Sequence, residues 1–372
     1  MPRALVIVLD SVGCGAAPDS ENYGDVGADT LGHILRDVPS LKIPTLRRLG
    51  WGQILGGDEP NTASFARLCP RSVGKDTTSG HWELMGAILD KPFATFEKFP
   101  DELVHAIEKQ AGVQFIGNVV ASGTQILELL GEQSIVTGRP ILYTSADSVL
   151  QIAAHEVHFG LERLLSVCEA ARRVADEWSI GRVIARPFIG EENSFSRTTN
   201  RRDYSILPPR TVLDALKEAG VTVTGIGKIN DIFAGSGISH SFPTKSNAAG
   251  MATIDSQWKS GNGGLFFANL VDFDTLYGHR RDVKGYADAL EEFDVWLDGF
   301  VPEIQSEDLV LITADHGNDP TFPGTDHTRE EVPLLMFRGH ERDNLGVRGT
   351  FADAAATLGT FFGVAWPTGT AL

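Results

Sequence analysis

Residues 4–10 read Ala-Leu-Val-Ile-Val-Leu-Asp, six apolar side chains in a row followed by an acidic one. An unbroken run of branched apolar residues is typical of a central parallel strand that is buried on both faces. Further runs of this kind occupy residues 221–227, 265–271 and 309–313, and helical patterns alternate with them at 211–219 and 284–301. Alternating strands and helices predict a doubly wound, mostly parallel α/β sheet.

The middle of the chain has a different character. Residues 92–209 are rich in helical patterns, contain short strands such as 183–185, and have prolines at both ends. We therefore predict an inserted α+β domain at 92–209 and a core formed by 1–91 and 210–372. The strands on either side of the insertion would then belong to one sheet.

Charge and cysteine content exclude several classes of protein. The 372 residues carry a net charge of −17, which argues against a nucleic acid or an anionic membrane as partner. Cys14, Cys69 and Cys168 are widely spaced and suggest neither disulfides nor a zinc knuckle. The first residues do not resemble a signal peptide, and no apolar run is long enough to span a membrane. We expect a cytoplasmic protein.

Acidic residues follow three of the predicted strands. Asp10, Asp274 (through Asp272) and Asp315 each come directly after an apolar run. Each could be a helix cap or a turn residue on its own, but ligands of open α/β sheets bind at the carboxyl ends of the strands. Three such residues in three strands favour a common site.

Histidines accompany these acidic residues and indicate a metal centre. His279 follows Asp274 by five residues, His316 is adjacent to Asp315, and His327 lies in the next loop. Three carboxylates and three imidazoles are too many ligands for one tetrahedral ion and suit two. Mixed oxygen and nitrogen ligands suit Mn²⁺ or Zn²⁺, and the ligand types do not choose between them. Two divalent ions would make the pocket locally positive, as a phosphate monoester requires.

A nucleophile is predicted in the segment 74–85, which reads Gly-Lys-Asp-Thr-Thr-Ser-Gly-His-Trp-Glu-Leu-Met. Its hydroxyl groups fall at a predicted helix N-terminus, where free backbone N–H groups favour an anion. A hydroxyl bound to a metal ion loses its proton more readily and can attack phosphorus. The spacing alone does not decide among Thr77, Thr78 and Ser79.

These motifs resemble those of the prokaryotic phosphopentomutase family of the alkaline phosphatase superfamily. The resemblance rests on Asp10-Ser-Val-Gly, on Gly74-Lys-Asp-Thr through Glu83, and on the segments 272–282, 313–319 and 324–329. It extends into the insertion at 143–149 and 181–187, so it covers nearly the whole chain. It implies an alkaline-phosphatase-like core with an inserted cap domain.

The resemblance also implies a role for individual residues. Asp10, Asp315 and His316 would bind one Mn²⁺, and Asp274, His279 and His327 the other. Thr77 would be the residue that is phosphorylated, although the family pattern differs from this chain at Thr78 and Ser79. The residues that match the substrate-binding positions of the family are Ser145, Asp147, Arg186, Arg201 and Lys228.

The implied activity is the interconversion of ribose 1-phosphate and ribose 5-phosphate, and of their 2-deoxy analogues, through a pentose bisphosphate. Glucose 1,6-bisphosphate or a pentose bisphosphate would phosphorylate the enzyme initially. We expect a monomer that acts on small-molecule pentose phosphates, with no nucleic-acid or membrane partner. The alternatives are a hydrolase of the same superfamily, a metal-dependent phosphoglycerate mutase and a non-catalytic metal-binding protein.

Overall fold

The computed structural model describes residues 2–145, 148–191, 194–260 and 263–372. The strands of these residues are β1 Arg3–Leu9, β2 Ser64–Leu68, β3 Ile116–Val120, β4 Ile141–Thr144, β5 Val149–His155, β6 Arg182–Ile189, β7 Ser196–Arg197, β8 Arg202–Ser205, β9 Val223–Ile226, β10 His240–Phe242, β11 Gly264–Leu270, β12 Leu309–Thr313, β13 Val332–Arg338 and β14 Asn344–Arg348.

The α-helices of the same residues are α1 Thr30–Asp37, α2 Pro44–Leu46, α3 Gly52–Ile54, α4 Thr77–Leu84, α5 Asp101–Ala111, α6 Gln125–Thr137, α7 Leu161–Ala175, α8 Val212–Glu218, α9 Ile229–Ile232, α10 Asn247–Lys259, α11 Val283–Phe300 and α12 Asp353–Phe362. None of the helices in these described ranges is long and apolar enough to cross a lipid bilayer.

The chain divides into two compact units. The first consists of residues 1–91 and 208–372, and the second of residues 92–207. In the sequence, the second unit is therefore inserted between the two segments of the first.

The first unit is built on an eight-stranded sheet in the order β10-β9-β11-β1-β12-β13-β2-β14. Strands β10, β9, β11, β1 and β12 pair in parallel, and β13 is antiparallel to both of its neighbours. Residues 4–9 of β1 have no exposed surface, as expected for a strand that is covered on both faces. The predicted doubly wound, mostly parallel sheet is therefore confirmed, and the predicted strands and helices of this unit are present within a few residues.

The second unit has its own sheet, in the order β3-β4-β5-β6-β7 with β8 beside β6. Side chains of a strand alternate between its faces, and each face of this sheet has its own apolar cluster. Leu142, Leu150 and Ile152 pack with residues of α5 and α7. Ile141 and Tyr143 pack with residues of α6 instead. The second unit is thus an α+β layer structure with helices on both sides.

Candidate active site

The three predicted acidic residues converge at one edge of the eight-stranded sheet. Strand β1 lies between β11 and β12, and all three run in the same direction. Asp10, Asp274 and Asp315 follow the carboxyl ends of these strands. Asp274 is the second residue of a π-helical turn, Phe273–Gly278, that follows β11. All three residues are at least 95% buried. The parallel pairing of three neighbouring strands therefore concentrates three negative charges in one place.

Asp10, Asp315 and His316 form the first group of possible metal ligands. One ligand atom from each lies within 4.8 Å of the others. Nε2 of His316 is 3.5 Å from Oδ1 of Asp10 and 3.4 Å from Oδ2 of Asp315. Among the described residues, Oδ1 of Asp10 has no hydrogen-bond donor, and Oδ2 of Asp315 has only Nδ1 of His81 at 3.0 Å, which is directed to the carbonyl oxygen of Thr77 instead. Buried carboxylate oxygens without a donor are costly unless a cation satisfies them, so this group fits a divalent ion.

Asp274, His279 and His327 form the second group. Nε2 of His279 is 3.3 Å from Oδ2 of Asp274, and Nε2 of His327 is 3.4 Å from Oδ1 of the same carboxylate. Nδ1 of His279 donates to the carbonyl oxygen of Thr325 at 2.7 Å, which leaves Nε2 free to bind a metal. His316 lies close enough to Asp274 and His327 to join this group too. The two groups are therefore contiguous.

The charges of neighbouring side chains in the cluster shift the pKa values of its members. Burial disfavours the charged form of His316, but the carboxylates of Asp315 and Asp10 outweigh it and raise the pKa of this histidine to about 10. Burial and the neighbouring Asp315 raise the pKa of Asp10. Burial would also raise the pKa of Asp274, but hydrogen bonds from His279 and His327 hold it well below the usual range. A proton on His316 compensates the carboxylates here, and divalent ions would displace it.

Helix α4 brings a hydroxyl group to this cluster. Its N-cap residue, Asp76, accepts a hydrogen bond from the backbone N–H of Ser79 at 3.1 Å, and the Ser79 hydroxyl donates back to Asp76. The buried Ser79 hydroxyl is thus occupied by helix capping. Oγ1 of Thr77, the first residue of the helix, lies 3.2 Å from Nε2 of His316. Of the three hydroxyls that the sequence left open, Thr77 is the one with a contact to the cluster.

Gly80 allows α4 to approach Asp315 closely. A Cβ atom at position 80 would lie 2.1 Å from the carbonyl oxygen of Asp315, which is shorter than any tolerable contact. The glycine in the Thr-Thr-Ser-Gly segment is therefore required by packing of the helix against the loop after β12. This contact sets the distance between Thr77 and the metal ligands.

Neutral side chains orient the carboxylates, and sequence reasoning did not find them. Nδ2 of Asn269 donates to Oδ2 of Asp10 at 3.0 Å, and Nδ2 of Asn318 donates to Oδ1 of Asp274 at 2.8 Å. Both asparagines are fully buried. The signal available for Asn269 was its position as a polar residue within an apolar strand. For Asn318 it was the position two residues after His316, in a loop.

Arg329 binds the backbone of the segment that precedes Thr77. This residue, too, was not identified from the sequence. Its buried guanidinium donates to the carbonyl oxygen atoms of Pro70, Ser72 and Gly74 and to the carboxylate of Asp19. Arg329 lies two residues after His327, so one short segment supports both the metal cluster and the nucleophile loop.

The residues that match substrate-binding positions are divided between the units. In the second unit, Ser145 follows β4 and is half-buried. Arg186 lies on β6, where its Nε donates to Gln151 at 3.0 Å, and burial and the neighbouring Arg201 lower its pKa. Arg201 is exposed and donates two hydrogen bonds, of 2.7 and 2.6 Å, to Asp203. Arg186 and Arg201 are therefore close enough for the charge of Arg201 to lower the pKa of Arg186.

The two remaining residues are placed differently. Lys228 belongs to the first unit, where it is half-buried and immediately precedes α9. Asp147 lies outside the described residues.

Relatives of known name match the chain over nearly its whole length. A phosphopentomutase of Syntrophotalea carbinolica is 51% identical, with 99% of this chain and 96% of the relative covered. A phosphopentomutase of Caldanaerobacter subterraneus subsp. tengcongensis is 50% identical, with 98% and 95% covered. The metalloenzyme superfamily matches residues 2–365.

Solved structures at low sequence identity share the fold. The PH0037 protein of Pyrococcus horikoshii superposes with a TM-score of 0.53 at 12% identity, with 99% of each chain covered. A phosphoglycerate mutase of Leishmania mexicana superposes with a TM-score of 0.52 at 14% identity, with 100% of this chain and 97% of that one covered.

The resemblance inferred from the motifs is thus confirmed across the chain. The chain belongs to the metalloenzyme superfamily and, within it, to the phosphopentomutase family, which makes it an enzyme of the isomerase class.

Proposed function

We propose that the enzyme interconverts ribose 1-phosphate and ribose 5-phosphate, and the 2-deoxy analogues, through phosphorylated Thr77 and a pentose bisphosphate. The observation that carries this proposal is the 3.2 Å contact between the Thr77 hydroxyl and His316 at the candidate metal cluster. The names of relatives at about 50% identity support the same reaction.

Two Mn²⁺ ions are the proposed cofactors. Asp10, Asp315 and His316 would hold one ion, and Asp274, His279 and His327 the other; mixed oxygen and imidazole ligands suit Mn²⁺. When bound, the ions would lower the pKa of the Thr77 hydroxyl and neutralise charge on the transferred phosphoryl group. The carboxylate oxygens without donors support this assignment.

The reaction is a pair of phosphoryl transfers. Phospho-Thr77 would give its phosphoryl group to the free hydroxyl of the pentose monophosphate, which produces a bisphosphate and the Thr77 hydroxyl. After the bisphosphate turns around, Thr77 would attack the other phosphate and release the isomeric monophosphate. Backbone N–H groups in the first turn of α4 favour the phosphate electrostatically. Glucose 1,6-bisphosphate or a pentose bisphosphate would phosphorylate Thr77 before the first turnover.

Recognition of the pentose phosphate is assigned to the residues that match the family: Ser145, Asp147, Arg186, Arg201 and Lys228. Planar guanidinium groups bind phosphate through paired hydrogen bonds, which suits Arg186 and Arg201 to that role. We propose that residues 92–207 act as a cap domain that binds substrate and excludes water, because a mutase must protect its phosphoenzyme from hydrolysis.

The cellular setting is part of the same proposal. We propose that the enzyme acts in the cytoplasm as a monomer on small-molecule pentose phosphates. A net charge of −17 disfavours a nucleic-acid or anionic-membrane partner.

The test is ³¹P NMR of ribose 1-phosphate with the full chain, Mn²⁺ and a trace of glucose 1,6-bisphosphate. We expect conversion to ribose 5-phosphate that Thr77→Ala abolishes and that the matched variant Thr78→Ala retains. Release of inorganic phosphate in place of the isomer would favour a hydrolase. Activity retained in Thr77→Ala would remove Thr77 as the nucleophile.

A further inference from the structure

Arg281 makes hydrogen bonds to several backbone segments around the second group of metal ligands. It lies two residues after His279 and adopts a φ of +57°, a left-handed conformation that is unusual for a residue with a side chain. Its guanidinium donates to five acceptors, which are the side chain of Asn318 and the carbonyl oxygens of Gly278, Asp319, Gly324 and Asp326. Such a set of bonds fixes the segment 318–326 against the turn that carries Asp274.

One of these contacts reaches Asp274 through an amide. Nη1 of Arg281 donates to Oδ1 of Asn318 at 2.6 Å, and Nδ2 of Asn318 donates to Oδ1 of Asp274 at 2.8 Å. A guanidinium has only donors, so it selects the oxygen of the amide and turns the NH₂ group toward the carboxylate. Arg281 and the acceptor-only carboxylate of Asp274 therefore favour the same orientation of the Asn318 amide.

The other contacts support the two histidines of the same group. Arg281 donates to the carbonyl oxygens of Gly324 and Asp326, on either side of Thr325. The Thr325 carbonyl accepts the Nδ1 hydrogen of His279, and His327 directly follows Asp326. One guanidinium is thus connected to Asp274 through Asn318, to His327 through Asp326, and to His279 through the backbone on either side of Thr325.

We propose that Arg281 is a positioning residue for the metal ion held by Asp274, His279 and His327, and that it acts on Asp274 through Asn318. The inference rests on the proposed two-metal site and deepens it. Outer partners that orient metal ligands typically contribute about 10- to 100-fold in metal affinity. Arg280, its neighbour in the sequence, is exposed and offers a matched control for the loss of an arginine.

The experiment measures Mn²⁺ binding to metal-free full-length protein by electron paramagnetic resonance, in which only free Mn²⁺ gives the sharp signal. We expect two bound ions in the wild type and in Arg280→Gln. In Arg281→Gln we expect one ion to bind as before and the other to bind about 10- to 100-fold more weakly. Circular dichroism of the metal-free variants checks folding. If Arg281→Gln does not fold, Arg281→Lys replaces it, since one ammonium cannot reach all five acceptors.

A double-mutant cycle tests the route through Asn318. If Arg281 acts through this amide, the loss of affinity in Arg281→Gln combined with Asn318→Ala is smaller than the sum of the two single losses. Full additivity would overturn that route. Unchanged binding in Arg281→Gln, with two ions in the wild type, overturns the inference and leaves the proposed function standing. A wild type that binds only one ion overturns the two-ion site and this inference together.

Discussion

Asn269 donates a hydrogen bond of 3.0 Å from its side-chain amide to Asp10, the carboxylate that follows β1. Asn269 lies on β11 and Asp10 follows the neighbouring strand β1, so the contact joins two adjacent strands near their carboxyl ends. Both side chains are at least 99% buried. The amide supplies a donor to the metal ligand without adding charge to a cluster that already holds three carboxylates.

Replacing Asn269 by aspartate tests the need for a neutral donor. In Asn269→Asp an acceptor faces Asp10 at nearly unchanged shape, and the free energy of unfolding of the metal-free protein should fall by about 3 kcal/mol. Urea denaturation measures this loss, and Mn²⁺ should reduce it. Asn344→Asp, the same change at an exposed position, is the control. Equal stability of the two variants would show that the donor is not needed.

Replacing Gly80 by alanine tests the close contact between α4 and the loop after β12. The added methyl would lie 2.1 Å from the carbonyl oxygen of Asp315, so α4 must move away and carry Thr77 with it. We expect a loss of about 1–3 kcal/mol in stability together with a loss of mutase activity.

Gly299→Ala is the matched control for this change. Gly299 lies near the end of α11 with nothing within 4 Å of an added Cβ. Alanine is the better helix former, so this variant should keep full activity and gain about 0.4–1 kcal/mol. A Gly80→Ala enzyme that remains as active as Gly299→Ala would contradict the packing argument.

The ligands could be predicted from the sequence because each follows a local pattern. Asp10 and Asp315 come directly after apolar runs, and parallel strands bring such ends together whatever their separation along the chain. The partners of these ligands are set by tertiary contacts that have no period in the sequence. Asn318 lies 44 residues from Asp274, and Arg329 lies 255 residues from Gly74, and each pair meets only in the folded chain.

Strand direction was also beyond the sequence pattern. Val332–Arg338 is an apolar run much like those of the neighbouring strands, yet β13 is antiparallel to β12. Apolar periodicity reports burial but carries no information about direction. The connection from β12 to β13, residues 314–331, contains the metal ligands and returns the chain beside β12 in the opposite direction, which the apolar pattern could not indicate.

Removal of metal should lower thermal stability, because Asp10 and Asp315 have buried oxygens without aligned donors. Adding Mn²⁺ to chelator-treated protein at about 100 times its dissociation constant should stabilise the fold by about 2.7 kcal/mol per site. Differential scanning calorimetry measures the shift. Asp315→Asn should lose most of it, whereas Asp288→Asn, at an exposed position on α11, should keep it. The same shift in both variants would argue against the first group of ligands.

Glu330 should make stability depend on pH. Burial raises the pKa of its carboxyl from 4.5 to about 7, against the opposing effect of hydrogen bonds from Thr30 and Thr328. Between these two pH values the folded chain binds the proton more tightly than the unfolded chain, so stability falls as pH rises. The shift corresponds to at most about 3 kcal/mol, with full stability below pH 4.5 and the loss complete above about pH 7.

Glu330→Gln isolates this dependence, because the amide has nearly the same shape and does not titrate. The free energy of unfolding, measured in urea from pH 4.5 to 8, should decline less steeply in Glu330→Gln than in the wild type. The difference between the two should grow through this window and then become constant. Glu307→Gln, at an exposed position, should follow the wild-type curve. Parallel curves for the wild type and Glu330→Gln would mean that the buried carboxyl keeps an ordinary pKa, held there by its hydrogen bonds.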